Sequence, residues 1–163
     1  MKKIIILGPA GAGKTTLSNK LSTTYKCDCF HFDTLKWTTP NEEKTKDEIL
    51  EVFENIKKLD SWVIEGSSTL LFNLSKDCTD IIFLNIDKNT CIANLTSRGP
   101  APELPCGTEE IFQKFLSHYS NDGYENRMKS LNRFIQRYNN KEHSYIFTEL
   151  KTLEDIDKLT LEE

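Results

Sequence analysis

Between Gly8 and Thr15 the chain reads Gly-Pro-Ala-Gly-Ala-Gly-Lys-Thr, which satisfies G-x-x-x-x-G-K-[ST]. The chemistry served by this spelling is capture of a polyphosphate. Glycines let consecutive backbone N–H groups curl around an anion that side chains would obstruct. In such a loop Lys14 reaches the β- and γ-phosphates and the Thr15 hydroxyl ligates Mg²⁺. Gly8, Gly11, Ala12, Gly13 and Thr16 add backbone or hydroxyl contacts. The first turn of the next helix contributes the positive end of its dipole. A chance match in a chain this short is on the order of one in a hundred, with Gly at about 7% of average usage.

Other residues could complete a phosphate chemistry. Asp33 follows an apolar run and belongs at the carboxyl edge of a sheet, where open α/β folds bind ligands. A carboxylate there can orient an acceptor hydroxyl and take its proton, hold a Mg²⁺-bound water, or simply cap a turn. Glu65 closes another apolar run and can hold magnesium through water, or only end a strand at the surface. Arg98 can stabilise negative charge in a phosphoryl transition state, or serve as a cation at a helix C-terminus. Arg127, Arg133 and Arg137 share one helix; Arg127 is the candidate to return toward the phosphates, against three solvated charges. Trp37 can wall an acceptor pocket or anchor its segment to the core. His31 alternates within an apolar strand and is expected to be a core histidine. Asp87 is expected to cap the helix after it rather than bind metal.

These residues need a scaffold. Lys3–Leu7 is a short, unbroken apolar run, as expected of a strand buried on both faces. Further strands are expected at 28–32, 61–65, 80–86 and 144–148, alternating with helical patterns, which argues for a parallel sheet covered on both faces. Leu17 and Leu21 place a helix from the glycine loop to about Tyr25. Thr45 and Glu48 form a capping box before the stripe Ile49, Val52, Phe53, Ile56 and Leu59. A helix over about 90–97 stops at Gly99. From Arg98 to Gly107 three prolines and two glycines in ten residues exclude a helix and suit a small exposed lid. Thr108 caps the next helix, Asn121-Asp122-Gly123 is expected to break it, and a further helix covers roughly 124–138. Thr152 and Asp155 start a short last helix.

The 163 residues suffice for one domain with a real core. The apolar strand beginning at Lys2 or Lys3 leaves no room for a signal peptide, and no later run is long enough for a membrane span. Five cysteines without a paired C-x-x-C suggest reduced thiols in a cytoplasm, with Cys27 and Cys29 packing rather than binding metal. The net charge is −4, and only four of the 21 basic residues are arginine, a poor footprint for nucleic-acid binding.

No Asn-Lys-x-Asp guanine signature is present; Asn140-Lys141-Glu142-His143 fails at its last position. The chain is also short for an ATPase that moves large partners, so elimination favours a small kinase. The loop at Gly8–Thr15 is followed by Phe30-His31-Phe32-Asp33-Thr34-Leu35-Lys36-Trp37, by Trp62-Val63-Ile64-Glu65-Gly66 and by Asp80-Ile81-Ile82-Phe83-Leu84. Together these strings resemble the P-loop kinases related to adenylate kinases, and within them the bacterial DNA topology modulation protein-like subgroup. The resemblance covers residues 2 to about 150. It implies a three-layer α/β P-loop fold in a single domain: a five-stranded parallel sheet with helices on both faces, an acceptor segment at about 34–60 and a short lid at about 96–108. It also implies ATP and Mg²⁺ as donor and cofactor, a small-molecule acceptor such as a nucleoside or nucleotide, and Glu65 beside the P-loop strand. The sequence departs from the subgroup in carrying Glu65 for Asp, and Ser67–Leu74 without arginine. That counts against a phosphorylated acceptor. A nucleotide-dependent DNA-modulating or regulatory protein, and a slow ATPase, are the alternatives.

Overall fold

The computed structural model describes residues 1–101 and 108–161. Five strands form one parallel sheet: β1 (Lys3–Leu7), β2 (Asp28–His31), β5 (Trp62–Gly66), β6 (Asp80–Leu84) and β7 (Ile146–Leu150), in the order β2-β5-β1-β6-β7. The P-loop strand is therefore central. Two short antiparallel strands, β3 (Trp37–Thr39) and β4 (Glu42–Glu43), form a separate hairpin that the sequence patterns did not predict.

Alternate residues of β1 face opposite layers, as the two-residue period of a strand requires. Ile5 and Leu7 join Ile64, Ile81 and Phe83 against α3 (Lys46–Lys57) and α6 (Tyr124–Asn139), through Phe53, Ile56, Met128 and Leu131. Ile4 and Ile6 join Val63, Ile82 and Leu84 against α1 (Lys14–Tyr25), α4 (Lys88–Arg98), α5 (Glu109–His118) and α7 (Leu153–Lys158), through Leu17, Leu95, Phe112 and Ile156. The result is three layers with a core on each face of the sheet. Ile4, Ile5, Ile6 and Leu7 are all fully buried, each stabilising the fold by about 1.5–3 kcal/mol.

The local start signals act as expected. Thr45 and Glu48 make the capping box of α3, Asp87 accepts from the Thr90 amide at the start of α4, and Thr108 accepts from the Ile111 amide. Thr152 and Asp155 form the box that opens α7, and Gly99 ends α4.

Three expectations are corrected. Phe32 leaves β2 and opens the one-turn helix α2 (Phe32–Leu35), so Asp33 stands on that turn instead of ending the strand. The last strand spans Ile146–Leu150 rather than 144–148, because its pairing with β6 begins at Asp80↔Ile146 while Tyr145 turns into the core. Asn121-Asp122-Gly123 does not break the helix: a π-helical turn, Tyr119–Gly123, carries α5 into α6, and Gly123 keeps a helical φ of −61°. Burial of Tyr119 and the hydroxyl bonds of Tyr119 and Tyr124 to distant carbonyls outweigh the local turn preference. Of the expected lid, residues 102–107 lie outside the described residues.

Candidate active site

The loop between β1 and α1 owes its shape to its neighbours. Ser67 Oγ donates to Gly8 O at 2.8 Å, Lys14 Nζ to Pro9 O at 2.9 Å, Tyr119 OH to Ala10 O at 2.7 Å and Asn94 Nδ2 to Gly11 O at 2.8 Å. Four consecutive carbonyls are thereby held by side chains. Within the loop the Ala12 N–H also donates to Pro9 O, at 3.3 Å, closing a turn. Gly11 and Gly13 have φ of +79° and +94°, in the left-handed region that side chains avoid.

Lys14 is buried. Loss of water lowers its pKa, while the charges of Glu65 and Asp33 pull it back up and Arg98 opposes them. Thr15 Oγ1 donates to Glu65 Oε1 at 3.2 Å, which brings the two expected magnesium residues into contact. Glu65 is 5% exposed and accepts a second bond on the same oxygen from His31 Nδ1, at 3.0 Å. The residues fit a magnesium ion carried by a nucleotide: one hydroxyl and one carboxylate stand together at the end of the glycine loop, and Mg²⁺ takes its remaining ligands from phosphates and water. No group of three or more His, Cys, Asp or Glu side chains suited to hold a metal exists among the described residues.

Next to the loop lies a cavity of about 260 Å³. Asp33, Lys36, Glu43, Ser67, Ser68 and Arg127 supply its polar lining; Phe32, Ile49 and Leu70 supply the apolar part. Ser67 belongs to both places, since its hydroxyl holds Gly8 while its carbonyl accepts from Arg127 Nη1 at 3.0 Å. Lys36 pairs with Glu43 across the β3–β4 hairpin at 3.2 Å.

Lys14, Thr15, Glu65, Asp33 and Arg127 therefore gather at the carboxyl end of the sheet. Thr16 is exposed on the first turn of α1, and Arg98 is exposed at the end of α4. Arg133 and Arg137 are exposed on α6. Trp37 is half-buried in β3 beneath the Lys36 ammonium and does not line the cavity. The expected core histidine is not in the core: the His31 side chain is 33% exposed and turned to Glu65. The reason is the strand order, because β2 is an edge strand and its faces are only partly covered. Sequence patterns also missed Lys36, Ser67, Ser68, Asn94 and Tyr119. The parallel register of β2 and β5, which the sequence does not reveal, sets His31 against Glu65.

No family model matches the chain, and no curated protein sequence matches it. Many solved structures are similar to it, among them two kinases. One is deoxyadenosine kinase from M. mycoides with bound dATP, with a TM-score of 0.51, 17% identity, and 95% of each chain covered. The other is shikimate kinase from Bacteroides thetaiotaomicron, with a TM-score of 0.54, 16% identity, and coverage of 96% of this chain and 92% of that one. At such identities the likeness is one of fold, and the chain has the three-layer α/β fold that these P-loop kinases share.

Proposed function

We propose that the protein is an ATP- and Mg²⁺-dependent kinase that transfers the γ-phosphoryl group to a small molecule. The observation that carries this reading is the shared wall at Ser67: one residue links the phosphate loop to a cavity lined by two carboxylates and two cations. Donor and acceptor sites then touch, as in-line transfer requires. The two kinases of like fold support the same class. The string-level resemblance to the DNA topology modulation proteins falls within this reading as a kinase-like subgroup.

In the proposed reaction the loop amides of Gly11, Ala12 and Gly13, with Thr16, cradle the phosphates, and Lys14 supplies fixed positive charge. Thr15 and Glu65 hold Mg²⁺, which when bound offsets phosphate charge as it shifts toward the leaving group. Asp33 orients the acceptor hydroxyl and takes its proton as the oxygen bonds to the γ-phosphorus and the bond to the bridging oxygen of ADP breaks. Arg127 positions the acceptor beside Gly8, and Arg98 adds charge from the lid side. The chain acts as one domain, with its acceptor segment at about 34–60 and its lid at about 96–108, and works in the cytoplasm. The acidic surface and few arginines favour small-molecule partners over nucleic acid. No helix among the described residues is long and apolar enough to cross a membrane.

The test is ATP turnover against a panel of nucleosides, nucleotides, sugars and small hydroxy acids. Phosphoryl transfer to one of them, lost in Lys14→Ala with the fold retained, is the expected result. Wild-type turnover in Lys14→Ala, or steady hydrolysis with transfer to none, refutes the assignment.

A further inference from the structure

Glu65 is an unusual ligand in that both of its hydrogen bonds fall on one atom. Thr15 Oγ1 and His31 Nδ1 reach the same Oε1, at 3.2 and 3.0 Å, and among the described residues Oε2 accepts none. A carboxylate only accepts, so Nδ1 carries the hydrogen. The far side of the ring is also occupied: His31 Nε2 lies 3.9 Å from Cys29 Sγ. Burial pushes the Cys29 thiol up, which keeps its proton on sulfur as a donor to Nε2. The chain Cys29–His31–Glu65–Thr15 thus has one consistent set of donors, and it crosses from the edge strand β2 to the helix that follows the phosphate loop.

Two donors on one oxygen do more than hold a carboxylate in place. They fix its rotation, so that Oε1 is committed to protein and Oε2 is left for a cation or its water. Thr15 needs this arrangement as well: a hydroxyl that ligates through a lone pair still has a hydrogen to place, and Oε1 takes it. Without the His31 donor, Glu65 is held only by Thr15, at the longer of the two distances, and can turn either oxygen toward it.

We infer that His31 is a positioning residue for the magnesium site, fixing which oxygen of Glu65 faces the metal. This rests on the proposal that Thr15 and Glu65 hold the cation. Outer partners of metal-binding carboxylates typically contribute about tenfold or more to metal affinity.

The experiment uses Mn²⁺ as the probe, titrated into the ADP-bound full-length protein and followed by electron paramagnetic resonance of the free ion. The variants are His31→Ala, His31→Asn, whose amide nitrogen can occupy the place of Nδ1, and Glu65→Gln. ADP binding in EDTA, measured by calorimetry, reports the fold and the phosphate loop independently of metal. The expected result is Mn²⁺ binding weakened about tenfold or more in His31→Ala, restored to within about threefold of wild type in His31→Asn, with ADP binding in EDTA unchanged. If His31→Ala loses ADP binding in EDTA, His31→Leu, which keeps side-chain bulk, is read in its place. Mn²⁺ binding in the non-donor variant within about twofold of wild type, or equal weakening in His31→Asn, overturns the inference. Loss of Mn²⁺ binding in Glu65→Gln alongside either result rejects His31 alone; no effect in Glu65→Gln rejects the metal site itself and His31 with it.

Discussion

Replacing Gly11 by alanine separates two costs that are usually confounded. Gly11 has φ +79°, so any side chain there is strained by about 1–2 kcal/mol. A Cβ would also fall 2.3 Å from the backbone oxygen of Cys91 and 2.9 Å from Leu95 Cγ, both on α4. A helix carbonyl cannot rotate away as a side chain can, so loop and helix must part, at about 1–3 kcal/mol for overpacking. Gly13 is the control. Its φ is +94°, yet its Cβ would meet only Ile156 Cδ1, at 3.7 Å, an ordinary contact. Gly13→Ala should therefore cost about 1–2 kcal/mol and Gly11→Ala about 2–5 kcal/mol. At about 2–4 °C per kcal/mol for a chain of this size, the melting temperature should fall by about 2–8 °C and about 4–20 °C respectively. Urea unfolding of the nucleotide-free proteins measures both free energies. Equal destabilisation of the two variants would refute the claim that α4 packs directly on the loop backbone.

Asp33→Asn should lower the transfer rate about 10²–10⁴-fold with little change in the KM for ATP, and near-wild-type transfer would remove Asp33 as the base. Tyr119→Phe keeps the ring stacked on Phe115 but deletes the bond to Ala10 O; at about 1 kcal/mol, ADP binding should weaken about fivefold, and an unchanged dissociation constant in calorimetry would count against the hydroxyl's part in shaping the loop. Stability should decline above about pH 9. Free thiols and phenols ionise near 9.0 and 10.0, whereas burial pushes Cys91 to about 11 and Cys78 and Tyr124 to about 12. The unfolded chain then sheds protons that the folded one keeps, so unfolding gains as pH rises. Lys14, lowered by burial, acts the other way, but against these three and against Cys27, Cys29, Tyr119 and Tyr145, which burial also pushes up. A melting temperature at pH 10.5 equal to that at pH 8 would contradict this balance.

Features set within a few residues were legible in the sequence. The Thr45–Glu48 and Thr152–Asp155 boxes and the Asp87 cap each depend on groups three positions apart, and the glycine loop was legible as an eight-residue spelling although distant donors hold its carbonyls. Sheet class was legible too, because the strands of a doubly covered sheet are unbroken apolar runs. What failed depended on distant partners. Asn121-Asp122-Gly123 has the composition of a turn, and only the burial of Tyr119 and its hydroxyl bond to Ala10 O, 109 residues away in sequence, explain the continuous helix. His31 was misread because alternation reveals which residues share a face, not whether the strand lies at an edge. The cavity was half legible: Asp33 and Arg127 were candidates, while Lys36 and Glu43 come from a hairpin too short to leave a periodic signal.

The four side chains that hold the carbonyls of Gly8 to Gly11 come from positions 14, 67, 94 and 119. The loop's native geometry is thus complete only when segments spanning most of the chain have docked. A nascent or partly unfolded chain would carry the motif without the nest. Nucleotide would then bind the folded state and not its precursors, and would stabilise it by RT ln(1 + [L]/Kd), about 2.7 kcal/mol at a hundredfold excess over Kd. In the proposed kinase, nucleotide would in this way act on the protein twice, as a reactant and as the mass-action force that draws its last contacts together.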